Sequence, residues 1–255
     1  MFVTTQQRGE KLNVIGISDI GSSRTNNEDV WVALPDIGFF ALADGMGGHK
    51  AGEIAAQETV NFLSACVKTI KKQDVMELII EIRYAIEQAS RHVYEIGSQR
   101  REYQGMGTTL CCLMWTKDAI IYAHVGDSRI YRLRDKKLSL LTQDHSLFAK
   151  WLSTGKLAEQ CATPFPYKHV ITRAIGGPGK ANPEIAVATH QEGDLFFLCS
   201  DGLTDVLSLS EMEQLLNTES NLHSAAHILI EKAKIKGSSD NMTIVMVQDG
   251  KNLPR

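Results

Sequence analysis

Residues 108–141 read TTLCCLMWTKDAIIYAHVGDSRIYRLRDKKLSLL, four apolar runs parted only by TKD, GDS and RDKK. Breaks this short cannot carry a parallel crossover, which needs about a dozen residues. The runs therefore predict an antiparallel meander, and a doubly wound βαβ fold is excluded. Upstream, LNVIGIS, VWVAL and GFFALA, the last behind a Pro35-Asp36 turn, predict further strands.

Between these strand groups the apolar period changes. Ile54, Ala55, Thr59, Phe62, Leu63, Cys66, Val67 and Ile70 recur at helical spacing, and so do Val75, Leu78, Ile79, Ile82, Ile86, Ala89, Val93 and Ile96. Two long helices, each with one buried face, are predicted to meet near KKQD. Residues 145–179 are mixed: a helical piece, SLFAKWLSTG, precedes Pro164, Pro166, Gly176, Gly177, Pro178 and Gly179, which predict an irregular surface excursion. EIAVATH and DLFFLCS then read as strands and SEMEQLLN as a short helix capped by Ser210. A longer helix starts at Asn221, buries Leu222, Ala225, Ala226, Leu229, Ile230 and Ala233, and closes at Gly237 before a last strand, MTIVMV. The pattern predicts a layered α+β fold in one domain over 1–255.

Composition narrows the function. The 255 residues are 43% hydrophobic with net charge -3, so a sizeable core is affordable and the basic excess of a nucleic-acid binder is absent. Basic clusters at Lys68/Lys71/Lys72, Arg132/Arg134/Lys136/Lys137 and Lys232/Lys234/Lys236 read as solvated faces rather than a docking patch. The cysteines at 66, 111, 112, 161 and 199 form no CxxC pair and read as buried thiols of a reduced compartment. No run approaches signal-peptide or membrane-span character. A cytoplasmic monomer without nucleic-acid or membrane partners is expected.

Acidic residues stand repeatedly where apolar strands end: Glu28-Asp29 in RTNNEDV, Asp44 in ALADGMGG, Asp127 in HVGDSR, Asp201 in FLCSDGLTD and Asp240 in GSSDNMTIVMV. One Asp-Gly is only a turn signal. Together, such ends can gather carboxylates at one rim of a sheet stack, where repulsion is relieved by bound cations. Oxygen donors without matching Cys or His favour Mg2+ or Mn2+. Gly45 lets the backbone approach, so that its carbonyl can serve beside the Asp44 carboxylate. GMGGHKAGE is not a phosphate-binding P-loop, since no Gly-Lys-Ser/Thr follows. His223 and His227 lack the Glu of HExxH and read as helix surface.

In order along the chain, GISDIGSSRTNNEDV, FFALADGMGGH, GMGTTL, AHVGDSRIYRL, LTQDHSL, ITRAIG, LCSDGLTD and DNMTIVMV resemble the metal-dependent Ser/Thr protein phosphatases of the 2C type, in particular compact bacterial members. The resemblance implies a four-layer αββα sandwich: two antiparallel sheets face to face, helices on both outer sides. It implies that Asp44 bridges two metals, that Asp201 and Asp240 complete one, and that Glu28 and the Gly45 carbonyl serve the other. Asp29 would hold metal-bound water, Arg24 the substrate phosphate, and Asp127 with Asp201 a third, weaker ion. Residues 146–170 would form a flap beside the site, with Trp151, Cys161, Phe165 and Tyr167 shaping access.

The implied reaction is hydrolysis of phosphoserine and phosphothreonine by direct attack of a metal-bridging hydroxide, with Arg24, Asp29, Asp44 and Asp127 as catalytic residues. Phosphorylated proteins would be the substrates, and a bacterial Ser/Thr kinase the opposing activity. Many eukaryotic members have histidine after the Asp-Gly pair, where Met46 stands here and cannot donate a proton. Leaving-group protonation is therefore expected from water at the third site through Asp127, with His49 a weaker candidate. The alternatives are a pseudophosphatase that only binds phosphoproteins and a hydrolase of small phosphate esters.

Overall fold

The computed structural model describes residues 3–8, 12–47, 51–71, 74–155, 167, 169–219 and 221–249. The quoted runs are antiparallel strands as expected, but they form two hairpins and not one meander. Strands β6 (Leu110–Trp115), β7 (Ile120–Val125), β8 (Arg129–Arg134) and β9 (Lys137–Leu140) follow one another, but they divide between two sheets. β7 pairs with β6, and β8 with β9. The GDS break is thus a crossing from one sheet to the other. Asp135 and Lys136, with φ of 49° and 63°, close the β8–β9 hairpin as a two-residue turn of the kind that matches strand twist.

The first sheet contains β1 (Val3–Arg8), β2 (Leu12–Asp19), β11 (Leu195–Cys199) and β12 (Met242–Asp249), ordered β1-β2-β12-β11-β8-β9. The second contains β3 (Asp29–Leu34), β4 (Phe39–Met46), β5 (Gly107–Thr108) and β10 (Glu184–Ala188), ordered β10-β7-β6-β4-β3 with β5 on β4. Every pairing is antiparallel.

Between the sheets lies a core of Val14, Phe40, Leu42, Leu113, Ile130, Phe196, Leu198 and Val245. Helices α1 (Ala51–Thr69) and α2 (Val75–Gln99) cover the second sheet, burying Leu63, Ile82, Ile86 and Val93 against Phe39 and Met114. Helices α5 (Leu209–Thr218) and α6 (Leu222–Ile235) cover the first, burying Met212, Leu216, Leu229 and Ile230 against Ile15, Ile17 and Phe197. The result is the four-layer αββα sandwich.

Asp74 caps α2 by accepting from the Met76 and Glu77 amides at 2.8 and 3.0 Å. Gly237 closes α6 with φ +84°, its amide bonded to Lys234 O and that of Ser238 to Ala233 O in a Schellman pattern.

Several expectations are corrected. The cap of α5 is Ser208, not Ser210: Ser208 and Glu211 form a capping box. Strand β1 and the four-residue α4 (Asp201–Thr204) were not anticipated. The 145–179 excursion contains α3 (Leu147–Ser153) but is not wholly superficial. Ile175 within it is fully buried and exchanges backbone bonds with Thr108. The basic clusters are not simply solvated either. Arg134 binds Asp194 at 2.8 and 2.6 Å, Lys234 binds Asp19 at 2.9 Å, and Lys236 binds Glu211 at 2.8 Å. Lys72 lies outside the described residues.

Candidate active site

A cleft of about 280 Å3 opens at one rim of the sandwich, lined by Arg24, Glu28, Asp44, Gly45, Asp127, Asp201 and Asp240, with Met46, Gly47, Thr109, His169, Ile171 and Asn241. Residues separated by more than two hundred positions in sequence, such as Arg24 and Asn241, thus meet at the ends of strands from both sheets. Of the predicted site residues only Asp29 is not on the lining. It is buried behind Asp44, directly opposite it in the β3–β4 register, and Ser200 Oγ donates to its Oδ2 at 2.8 Å.

Asp44 is fixed through its backbone. Its amide donates to Thr109 Oγ1 at 3.0 Å, and its carbonyl accepts from the Thr109 amide and Thr108 Oγ1, both at 2.8 Å. Thr109 Oγ1 also bonds Ser128 Oγ at 2.7 Å, beside Asp127. Gly45 is required by packing as well as by any ligand role: a Cβ there would overlap the Gly52 carbonyl and crowd Glu28 O. The Gly45 amide donates to Glu28 O at 3.1 Å.

Asn241 holds the Glu28 loop in place. Its Oδ1 accepts from the Glu28 amide at 2.8 Å, and its Nδ2 donates to Ile20 O and Asn26 O at 2.9 and 3.0 Å. Arg24 donates to Asp240 Oδ2 at 2.7 Å. Asp127 follows Gly126, whose φ of +104° turns the chain between β7 and β8.

The electrostatics are those of crowded acids. Burial, then the neighbouring carboxylates, hold Asp44 and Asp201 well above the ordinary carboxylate range. Burial raises Asp29 to about 6, and burial followed by Asp144 raises Asp127 to about 6. Arg24 is the one permanently charged cation among the described lining residues, and Asp29 Oδ1 is buried with no hydrogen-bond partner among them. Oxygen donors, mutual repulsion and an unpartnered buried oxygen fit hard divalent cations such as Mn2+ or Mg2+.

His169, on the returning end of the excursion, was missed by sequence reading. Its ligand atoms and those of Asp201 and Asp205 lie within 4.8 Å of one another. Trp151 and Tyr167 are not on the lining. Cys161, Phe165 and His49 lie outside the described residues. His223 and His227 lie on α6 with ring centroids 4.4 Å apart and planes tilted by 41°, and do not line the cleft.

Comparison with known proteins agrees with this geometry. The family model described as Protein phosphatase 2C matches residues 21–232. The serine/threonine phosphatase stp of Listeria welshimeri is 35% identical over 235 residues, 91% of this chain and 93% of the relative. Protein phosphatase PhpP of Streptococcus pneumoniae is 35% identical over 234 residues, 91% of this chain and 95% of the relative. Among solved structures, the S. agalactiae serine/threonine phosphatase superposes with a TM-score of 0.89 at 36% identity, covering 93% of this chain and 99% of its own. The catalytic domain of PstP in complex with two manganese ions gives 0.83 at 32% identity, covering 93% and 98%. With the family match running through both sheets and every acid of the cleft except Asp240, which lies just beyond it, the chain belongs to the protein phosphatase 2C family.

Proposed function

We propose that the chain is a metal-dependent protein serine/threonine phosphatase, acting through one catalytic domain over 1–255 on phosphorylated proteins. The observation that carries the reading is the convergence of Asp44, Asp201 and Asp240 with Glu28 and Gly45 in one cleft, in a chain similar to a phosphatase solved with two manganese ions.

Asp44, Asp201, Asp240, Glu28 and the Gly45 carbonyl are the groups that would hold two ions, with Asp127 and Asp201 suited to a weaker third. Bound there, Mn2+ or Mg2+ would supply positive charge for phosphate oxygens and lower the pKa of coordinated water toward about 7. Arg24, on the rim, presents a planar fork to two phosphate oxygens. Asp29, the direct cross-strand partner of Asp44, would hydrogen-bond water held by the ions. Met46 has no proton to give, and Asp127 is the further lining carboxylate that would orient a water to protonate the leaving group.

A cytoplasmic monomer opposing a Ser/Thr kinase is the setting we infer. Among the described residues no helix is long and apolar enough to cross a membrane. The complete acid set argues against a binding module without turnover, because such acids gathered without cations are a stability liability. The test is hydrolysis of a phosphopeptide and of para-nitrophenyl phosphate with Mn2+. Turnover abolished by chelator and by Asp201→Asn supports the reading; bound Mn2+ without turnover overturns it.

A further inference from the structure

One cluster lies just behind the acids and has no part in holding ions. His145 is 5% exposed. Its Nδ1 accepts from the Gly126 amide at 3.2 Å, and its own amide donates to Gly126 O at 2.8 Å. Gly126 is the left-handed residue immediately before Asp127. The His145 carbonyl accepts from the Thr172 amide at 2.6 Å and from Thr172 Oγ1 at 3.0 Å. The next residue, Ser146, bridges to Ile171, which lines the cleft. One histidine thus ties the Asp127 turn to the returning end of the excursion.

Its tautomer follows from the bonds. With Nδ1 accepting, the proton sits on Nε2, which faces Glu184 Oε1 at 3.1 Å. Arg173 Nη1, 3.0 Å from Nε2, donates to the same carboxylate at 3.1 Å. The ring stacks on His124 at 4.4 Å and 26°, and His124 Nε2 donates to Gln143 O at 2.8 Å. Burial, then His124 and Arg173, push His145 down to about 4, so it is neutral near pH 7. His124, His145 and Glu184 come within 4.8 Å of one another. The adjacent guanidinium and the occupied Nδ1 make them a hydrogen-bond chain rather than a metal site.

We propose that His145 is a positioning residue that locks the Asp127 turn to the flap's root, and thereby favours turnover of phosphate carried on a peptide over that of a small aryl phosphate. This rests on the phosphatase reading above. His169 and Ile171 line the cleft on the segment that the His145–Thr172 bonds join to the Asp127 turn, so a substrate that extends along them depends on that join more than a compact aryl ester does. An aryl leaving group also depends less on a proton from the Asp127 side.

The test compares His145→Phe, which keeps the stacked ring but removes the acceptor, with His145→Asn, which keeps an acceptor. Both are assayed as Mn2+-loaded protein. His145→Phe is expected to lower kcat/KM on a phosphopeptide about tenfold, the scale of leaving one buried amide unpaired, and on para-nitrophenyl phosphate by less than about threefold. His145→Asn should restore most of the loss. On an Asp127→Ala background His145→Phe should add less than about twofold, as for residues acting through one another. Equal loss on both substrates, no rescue by Asn, or full additivity with Asp127→Ala overturns the proposal.

Should His145→Phe fail to fold, Glu184→Gln at the exposed end of the chain must show the same substrate preference at smaller size, and its absence overturns the proposal. If the parent protein turns over neither substrate, the phosphatase reading has failed, and amide exchange decides the lock separately. Gly126 and Thr172 exchanging faster together in Glu184→Gln supports it, and unchanged exchange overturns it.

Discussion

Asp29 stands directly opposite Asp44 where β3 pairs with β4, two acids facing each other across adjacent strands. Facing like charges destabilise a sheet; burial first pushes both carboxyls upward, Asp29 to about 6 from an ordinary 3.8 with Asp240 adding to it, and Asp44 with Asp29 adding to it. Folded-state values above the unfolded ones give stability that is present below pH 4 and lost as pH rises through about 6. His124 and His145 are shifted downward by burial, and that opposing contribution is common to metal-loaded and stripped protein. The gap in Tm between Mn2+-loaded and chelator-treated protein is therefore expected to widen from pH 4 to pH 7. Scanning calorimetry across that range checks it; a constant or narrowing gap would count against carboxylate crowding.

Asn241 makes three bonds to the loop that carries Glu28. Its replacement by alanine leaves the Glu28 amide and two carbonyls without their partner. Mn2+ affinity is expected to fall about 10- to 100-fold, the usual effect of removing a group that orients ligands. Titration calorimetry measures it, and an unchanged affinity would show that the loop holds itself.

Arg24 is the exposed partner of a pair with Asp240, with side-chain exposures of 51% and 36%. Pairs this open contribute about 0–1 kcal/mol to stability, so Arg24→Ala should barely move Tm. Loss of the phosphate fork should instead raise KM for phosphopeptide by about tenfold or more, and Arg24→Lys should recover only part because it lacks the planar fork. A KM unchanged in both variants would remove Arg24 from substrate binding.

Gly16 in β2 lies under Trp31 of β3, and a Cβ there would overlap the indole ring. Gly16→Ala is expected to cost about 1–3 kcal/mol through overpacking, read as a lower urea midpoint. Pairing it with Trp31→Leu should return part of that loss. Full additivity of the two would place the strain elsewhere.

The two hairpins of residues 108–141 were legible because TKD and RDKK are too short for anything else, whereas nothing in GDS marks a crossing between sheets; α1 and α2 were legible because their apolar stripes keep one period over many turns. Val3–Arg8 was not, since VTTQQR carries neither alternation nor an apolar run; it is a strand because β2 offers it an edge. Ser208 was legible in principle, with Glu211 three residues on, and the Pro- and Gly-rich context of Ile175 hid a buried side chain. The lining acids could be read because each stands beside a terminus of an apolar strand, Asp44, Asp127 and Asp201 where one finishes and Glu28 and Asp240 just before one begins. Asn241, Thr109 and His145 could not, because their roles exist only in bonds such as that between Glu28 and Asn241, 213 positions apart.

Anomalous diffraction from crystals soaked in Mn2+ tests the metal site most directly. Anomalous peaks between Asp44, Asp201 and Asp240, and beside Glu28 and the Gly45 carbonyl, are expected. A map with no peak among those oxygens, from crystals that carry manganese elsewhere, would contradict the catalytic reading and leave only the fold.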